Sequence, residues 1–153
     1  MIAVLQRVFN ARVISDGELT GEIGAGLYIL LGVLDTDTAE DTVRLAEKIS
    51  KLRIFSDENG KLNLSLKDTT SSALVVPNFT LCANYSHGNR PEYLSAAAPS
   101  VASSLFDSFV SELRLRLNKV ECGVFGANMR TELSTNGPIT IVMDSDKLRG
   151  GKK

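Results

Sequence analysis

Apolar and polar positions alternate from the start of the chain. Val4, Gln6 and Val8 are followed by Ala11 and Val13, and Asp16-Gly17 then interrupts the pattern. Period-two alternation predicts an extended segment, and Asp-Gly between extended residues predicts a hairpin, because both central positions accept positive φ. Gly21, Gly24 and Gly26 punctuate the approach to a solid apolar run, LYILLGVL at 27–34, which reads as a buried strand. The period then changes. Leu45, Ala46, Ile49 and Leu52 share one helical face, Thr38 stands at the cap position, and Glu40 and Asp41 complement the dipole of the first turn.

Further along, Arg53-Ile54-Phe55 reads as a short strand, Asn59-Gly60 as a turn, and 62–66 as another extended piece. The strand ALVV (73–76) runs into Pro77, which cannot donate to a ladder, so the strand must bulge or end there. A polar loop from Asn84 to Ala98 precedes a second helix starting near Pro99-Ser100. Its buried side is Ala102, Leu105, Phe106, Phe109, Val110, Leu113 and Leu117. Extended pieces at 120–125, 130–134 and 139–143 finish the pattern, and a basic tail at 147–153 is expected to fray. These elements predict one α/β domain over residues 1–146, with a mixed or largely antiparallel sheet covered by two helices.

Composition narrows the classes of function. The 153 residues suit one domain with its own core. No apolar run approaches the ~18 residues that span a bilayer. The opening residues lack the basic segment and cleavage site of a signal peptide, so a cytoplasmic protein is expected. Cys82 and Cys122 lie far apart, outside any CxxC spacing, and His87 is the one histidine. They predict reduced core thiols and no metal or cofactor site. A net charge of −1 argues against binding nucleic acid by bulk electrostatics. It leaves room for a grip on an RNA end through a local rim drawn from Lys48, Lys51, Arg53, Arg90, Lys147, Arg149, Lys152 and Lys153, though scattered solvated charges explain them as well.

Familiar catalytic patterns are missing. There is no G-x-S-x-G elbow, Walker A loop, G-x-G-x-x-G or H-E-x-x-H, and His87 sits in a polar loop where a solvated role suffices. Gly24-Ala25-Gly26 reads as a turn. Two stretches resist a purely structural explanation. In Pro77-Asn78-Phe79-Thr80-Leu81 a broken strand frees backbone N–H groups, the raw material of an oxyanion hole. In Thr135-Asn136-Gly137-Pro138-Ile139-Thr140 the ordinary reading is a reverse turn between two strands, and proline alone does not imply a cis bond.

Together these stretches resemble the paired signature of the D-aminoacyl-tRNA deacylases, also described as D-tyrosyl-tRNA deacylases. That family carries Ser-Gln-Phe-Thr-Leu on a strand and an Asn-x-Gly-Pro-x-Thr type motif near its C-terminus. The likeness extends in order through Gln6-Arg7-Val8, Gly21 to Gly24, Leu30 to Val33, Ala46 to Ile49 and Leu52 to Phe55. It continues through Asn63-Leu64-Ser65, Arg90-Pro91 and Gly123 to Met129, covering essentially residues 1–145.

The resemblance implies hydrolysis of the ester of D-aminoacyl-tRNA, and of glycyl-mischarged tRNA, by a homodimer. In it each Gly137-Pro138, with a cis peptide bond, enters the partner's pocket as a main-chain filter against L side chains. The resemblance also implies a barrel-like sheet. It assigns oxyanion stabilisation to the N–H groups of Phe79 and Thr80, places Asn78 with them among the catalytic residues, and gives support of the dipeptide to Arg7 and substrate binding along the pocket to Pro77 and Met129. The Thr80 hydroxyl is secondary, and the 2′-hydroxyl of the RNA helps to activate water. Phe79 and Tyr93 are candidates to stack on the terminal adenine. Pro77-Asn78 departs from the family's Ser-Gln, losing a hydroxyl and a backbone donor and shortening the amide. A related animal class that accepts some L-aminoacyl-tRNA also has proline there but lacks the phenylalanine. A deacylase of relaxed chirality and a non-catalytic tRNA-binding module are the alternatives.

Overall fold

The computed structural model describes residues 1–150. The alternating opening segment is one long strand, β1 (Ile2–Ser15), turned by Asp16 (φ 48°) and Gly17 (φ 85°) into β2 (Glu18–Ile23). Strand β3 (Gly26–Gly32) lies antiparallel to the first half of β1, from Ile2↔Gly32 to Val8↔Gly26. Gly26 is required there. A Cβ at that position would stand 1.8 Å from the Ser72 carbonyl oxygen, where no side chain fits.

Helix α1 (Ala39–Lys51) follows, then the small hairpin β4 (Phe55–Ser56) and β5 (Leu62–Leu64), with Gly60 at φ 75° in its turn. One helical turn, α2 (Leu66–Thr69), leads into β6 (Ser72–Pro77). Helix α3 (Pro99–Arg114), β7 (Val120–Cys122) and β8 (Met129–Asp144) complete the chain.

The sheet is mixed. Its order is β2-β1-β3-β6-β7, with β8 on the other side of β1; β3, β6 and β7 are mutually parallel and the remaining pairs antiparallel. At the far end β2 returns towards β7: a Cβ on Gly21 would meet the Cys122 carbonyl oxygen and Glu121 Cβ at 3.3 Å. The sheet therefore curls into a nearly closed barrel. Inside it Val8, Ala11, Val13, Ile23, Tyr28, Leu74 and Val76 form one core. Outside, α1 and α3 cover the opposite face through Leu45, Ile49, Phe106, Phe109 and Leu113 against Leu5, Leu27, Ile29 and Val75. Because β3 is buried on both faces, it reads as an unbroken apolar run.

Three expectations change. The strands expected at 130–134 and 139–143 are a single strand, β8, with 136–139 pushed out of its ladder. Gln6 pairs with Thr140 and Val8 with Thr135, so Arg7 alone stands opposite Asn136 to Ile139. The one-turn helix α2 went unpredicted, although Ser65 and Asp68 close a capping box around it. Nor does the tail fray at Lys147. Ser145–Leu148 forms a 3-10 turn, and the Arg149 guanidinium clamps Asp41, with Nε donating to Oδ1 at 2.7 Å. Lys152 and Lys153 lie outside the described residues.

Asp41 joins both ends of this clasp. Its carboxylate also accepts from the N–H and hydroxyl of Thr38, which starts α1. Hydrogen bonding from Arg149 outweighs burial and, with Thr38, holds the Asp41 carboxyl far below the usual carboxylate range. A carboxyl depressed on folding stabilises fully above its unfolded pKa and loses that contribution as pH falls towards its folded value. Asp41→Asn should therefore cost roughly 1.5–3 kcal/mol near neutral pH, the range for hydrogen bonds to a charged group. In denaturant titrations the difference from the parent chain should shrink as pH falls below about 4.

Candidate active site

The broken strand supplies the site. Pro77 is the last residue of β6, opposite Leu31, and the Asn78 N–H donates to the Leu31 carbonyl at 2.8 Å. The chain then tightens into a 3-10 turn at Phe79–Cys82, with Asn78 at its cap. Asn78 Oδ1 accepts from the Thr80 N–H at 3.2 Å and from the Thr80 hydroxyl. This Asx-type cap explains why the strand bends here: the side chain supplies the acceptor that the ladder no longer offers.

The cap redistributes the expected donors. The Thr80 N–H and hydroxyl are both committed to Asn78, so neither stands free for substrate. The Phe79 N–H and the Asn78 Nδ2 make no hydrogen bond among the described residues, and they are the donors available to a bound group. Thr80 is exposed, but its hydroxyl has no base beside it. His87, the one histidine, is exposed in the 84–98 loop.

Beside this turn lies an apolar cavity of about 400 Å³. Pro77, Asn78, Phe79 and Tyr93 line it together with Phe106 and Phe125. Phe79, 58% exposed, meets Tyr93 edge-on with ring centroids 5.0 Å apart, so the two expected aromatic rings do share one wall. Sequence reasoning gave no role to Phe125 or to Ala96-Ala97-Ala98, which complete the lining. Phe125 stood within a recognised motif, and the alanine run marked where small side chains leave space.

Gly137 and Pro138 are exposed on the bulge of β8, and their peptide bond is cis. Arg7 reaches this segment through the preceding residue rather than through the dipeptide. Its Nε donates to the Asn136 carbonyl at 3.0 Å, one terminal nitrogen to Asn136 Oδ1 at 3.3 Å, and the other to the Ile54 carbonyl at 2.9 Å. Gly137 has no room for a side chain, since a Cβ would stand 2.0 Å from the Ile139 nitrogen. Neither Gly137 nor Pro138 lines the cavity of its own chain. Met129 does not line it either. Met129 and Pro77 flank Gly123, where a Cβ would lie 2.7 Å from the Met129 sulfur and 3.6 Å from Pro77 Cδ.

Of the expected cationic rim, Lys48, Lys51 and Arg53 gather with Arg44 around a separate groove. Lys51 pairs there with Glu47, while Arg149 is held by Asp41. Cys82 and Cys122 are free, and burial pushes both thiols up, away from reactivity. Among the described residues no group of three His, Cys, Asp or Glu side chains is placed to hold a metal ion.

The model of the D-Tyr-tRNA(Tyr) deacylase family matches residues 4–144. The chain belongs to that family. A D-aminoacyl-tRNA deacylase of Chloroflexus aurantiacus is 54% identical over 149 residues, 97% of this chain and 93% of that protein. One of Caldicellulosiruptor saccharolyticus is 49% identical, with 97% and 99% covered. Among solved structures, a c-Myc DNA unwinding element binding protein superposes with a TM-score of 0.88 at 36% identity, covering 94% of this chain and 98% of that one. A probable eukaryotic D-amino acid tRNA deacylase gives 0.81 at 16% identity, with 93% and 97% covered, a likeness that bears on fold alone.

The cap is testable by itself. Asn78→Ala should free the Thr80 N–H, speeding its amide exchange about five- to tenfold for one lost hydrogen bond of ~1 kcal/mol. Exchange of the Phe79 amide should stay as fast as in the parent chain. NMR hydrogen exchange reads both.

Proposed function

We propose that the chain hydrolyses the ester of D-aminoacyl-tRNA, releasing the free D-amino acid and tRNA. The carrying observation is the Asn78-capped turn, with two free donors, on the wall of an apolar cavity in a chain of the deacylase family. At about 400 Å³ the cavity falls within the range of small-molecule sites. It suits the terminal adenosine, whose base would lie against Phe79 and Tyr93. None of the described helices is long and apolar enough to cross a membrane. A cytoplasmic location, beside charged tRNA, is part of this reading.

The chemistry asks little of side-chain bases. Water attacks the ester carbonyl, the bond from the carbonyl carbon to the ribose oxygen breaks, and the proton of water ends on that oxygen. The developing oxyanion faces the Phe79 N–H and Asn78 Nδ2, donors of a kind whose removal costs about 3 kcal/mol each in other hydrolases. The neighbouring 2′-hydroxyl of the ribose assists the water, consistent with the lack of a histidine at the turn.

Chiral selection is assigned to Gly137-Pro138 of a second copy. Support comes from their exposure on the bulge, their absence from their own chain's cavity, and the outer edge of β8, which pairs with no strand among the described residues. Exposed Phe9 and Val142 lie on the paired strands β1 and β8. An unpaired edge of this length invites a partner. An L side chain would meet the partner's main chain, whereas a D side chain or glycine would not.

Two variants test these roles. Thr80→Ala should keep D-Tyr-tRNA hydrolysis within about tenfold of the parent, because a hydroxyl bonded to Asn78 contributes position worth ~0.5–1.5 kcal/mol at most. An acyl group trapped on Thr80 would contradict this. Arg7→Ala should lower kcat on the order of 100-fold, the scale of a 1 Å misplacement, and weaken rejection of L-Tyr-tRNA while leaving the circular dichroism spectrum unchanged.

A further inference from the structure

Between Cys82 and Pro99 the chain leaves the cavity wall, makes an exposed excursion and returns. Its base is closed by reciprocal main-chain bonds, Asn84 N–H to Glu92 at 2.8 Å and Glu92 N–H to Asn84 at 2.9 Å. The Asn84 carboxamide oxygen also accepts from the Ser86 N–H at 3.1 Å. Just beyond the base, Tyr93 packs edge-on against Phe79, and both line the cavity. The projection is thus a built hairpin whose foot is the cavity rim.

Everything from Tyr85 to Pro91 is exposed, with Tyr85 at 78%. A tyrosine so exposed contributes little to the core, and its ring faces are open. Arg90 makes no hydrogen bond or ion pair among the described residues, whereas Arg7, Arg12, Arg44, Arg116 and Arg149 are all engaged. The nearby carboxylate, Glu92, accepts from the Leu94 N–H at 2.9 Å. An open aromatic face and an unpaired guanidinium are therefore carried on one exposed loop whose base adjoins the cavity rim. That pairing suits single-stranded nucleic acid, where bases stack on aromatic rings and cations follow the phosphates.

We propose that the 85–90 hairpin holds the unpaired nucleotides preceding the terminal adenosine, with Tyr85 stacked on a base and Arg90 against a phosphate. This rests on the deacylase reading. It assigns affinity for the RNA end to a loop that takes no part in the ester chemistry. The overall charge of −1 fits such a local grip better than a broad electrostatic footprint.

The test compares Tyr85→Ala, Tyr85→Phe and Arg90→Gln with the parent on D-Tyr-tRNA and on D-tyrosyl-adenosine, which lacks the preceding nucleotides. Tyr85→Ala should raise KM for the tRNA about tenfold with kcat unmoved, and Tyr85→Phe should restore it. Arg90→Gln should reduce the slope of log affinity against log salt by about 0.7, as for one single-strand phosphate contact. All three should hydrolyse D-tyrosyl-adenosine as the parent does. Unchanged KM for tRNA, or equal losses on both substrates, would overturn the proposal.

Binding of a fluorescein-labelled hairpin RNA ending in CCA reads the loop separately. Weaker binding by Tyr85→Ala and Arg90→Gln upholds the proposal even if the parent proves inactive, an outcome that sinks the deacylase reading alone. Equal binding by parent and variants overturns the proposal even if the parent is active.

Discussion

Strand β1 pairs with three others, and that arrangement dictates where the site residues stand. Its first half holds β3 on one side, its second half holds β2, and β8 runs along the other side of both. A strand hydrogen-bonded on both edges has little freedom to slip, because a one-residue shift would turn every core side chain outward. The ladder between β1 and β8 gives way most widely opposite Arg7, and the four residues displaced there include Gly137-Pro138. The guanidinium replaces the missing ladder bonds and carries the connection onward to Ile54 beside α1. The bulge is therefore a fixed projection, anchored at both ends by regular pairing and in the middle by charge-assisted hydrogen bonds.

The other half of the site follows from a second interruption. Pro77 ends β6 because it has no N–H to continue the pairing, and Asn78 turns the chain by offering its own side-chain oxygen. A longer amide could make the same bonds from a different distance, so Asn78 sets where the Phe79 N–H stands on the cavity wall. A group bound against the apolar walls from α3 and the loop before it would displace water from around those donors, which strengthens any electrostatic contact made there. Interruption of β-structure thus supplies both the donors proposed for the oxyanion and the projecting dipeptide. The barrel keeps each of them rigid.

Much of this was legible in the sequence where the signal is local. Asp16-Gly17 and Asn59-Gly60 have the turn geometry their residue types demand, and Thr38 and Pro99 mark helix starts within a residue. The mixed sheet under two helices followed from the two periodicities. Pairings between distant positions were not legible. Arg149 and Asp41 are 108 positions apart, and nothing near either one announces the other. The displaced segment at 136–139 looked like a turn between two strands because its true partner, β1, lies at the opposite end of the chain. Asn78 with Thr80 and Ser65 with Asp68 are different: both are local capping patterns, visible in the residues and passed over. The Asn78 cap is where the Thr80 N–H is engaged in this structure.

The central claim is that the two interruptions work together across two copies of the chain. It is tested most directly by coexpressing Asn78→Ala and Arg7→Ala chains, each impaired alone, and assaying D-Tyr-tRNA hydrolysis by the mixture. In a two-fold dimer with sites shared across the interface, the mixed species carries one site built wholly from intact parts. Random pairing then restores about a quarter of the parent's sites. Activity near that level is the predicted result. A mixture no more active than the two variants measured separately would contradict the shared site.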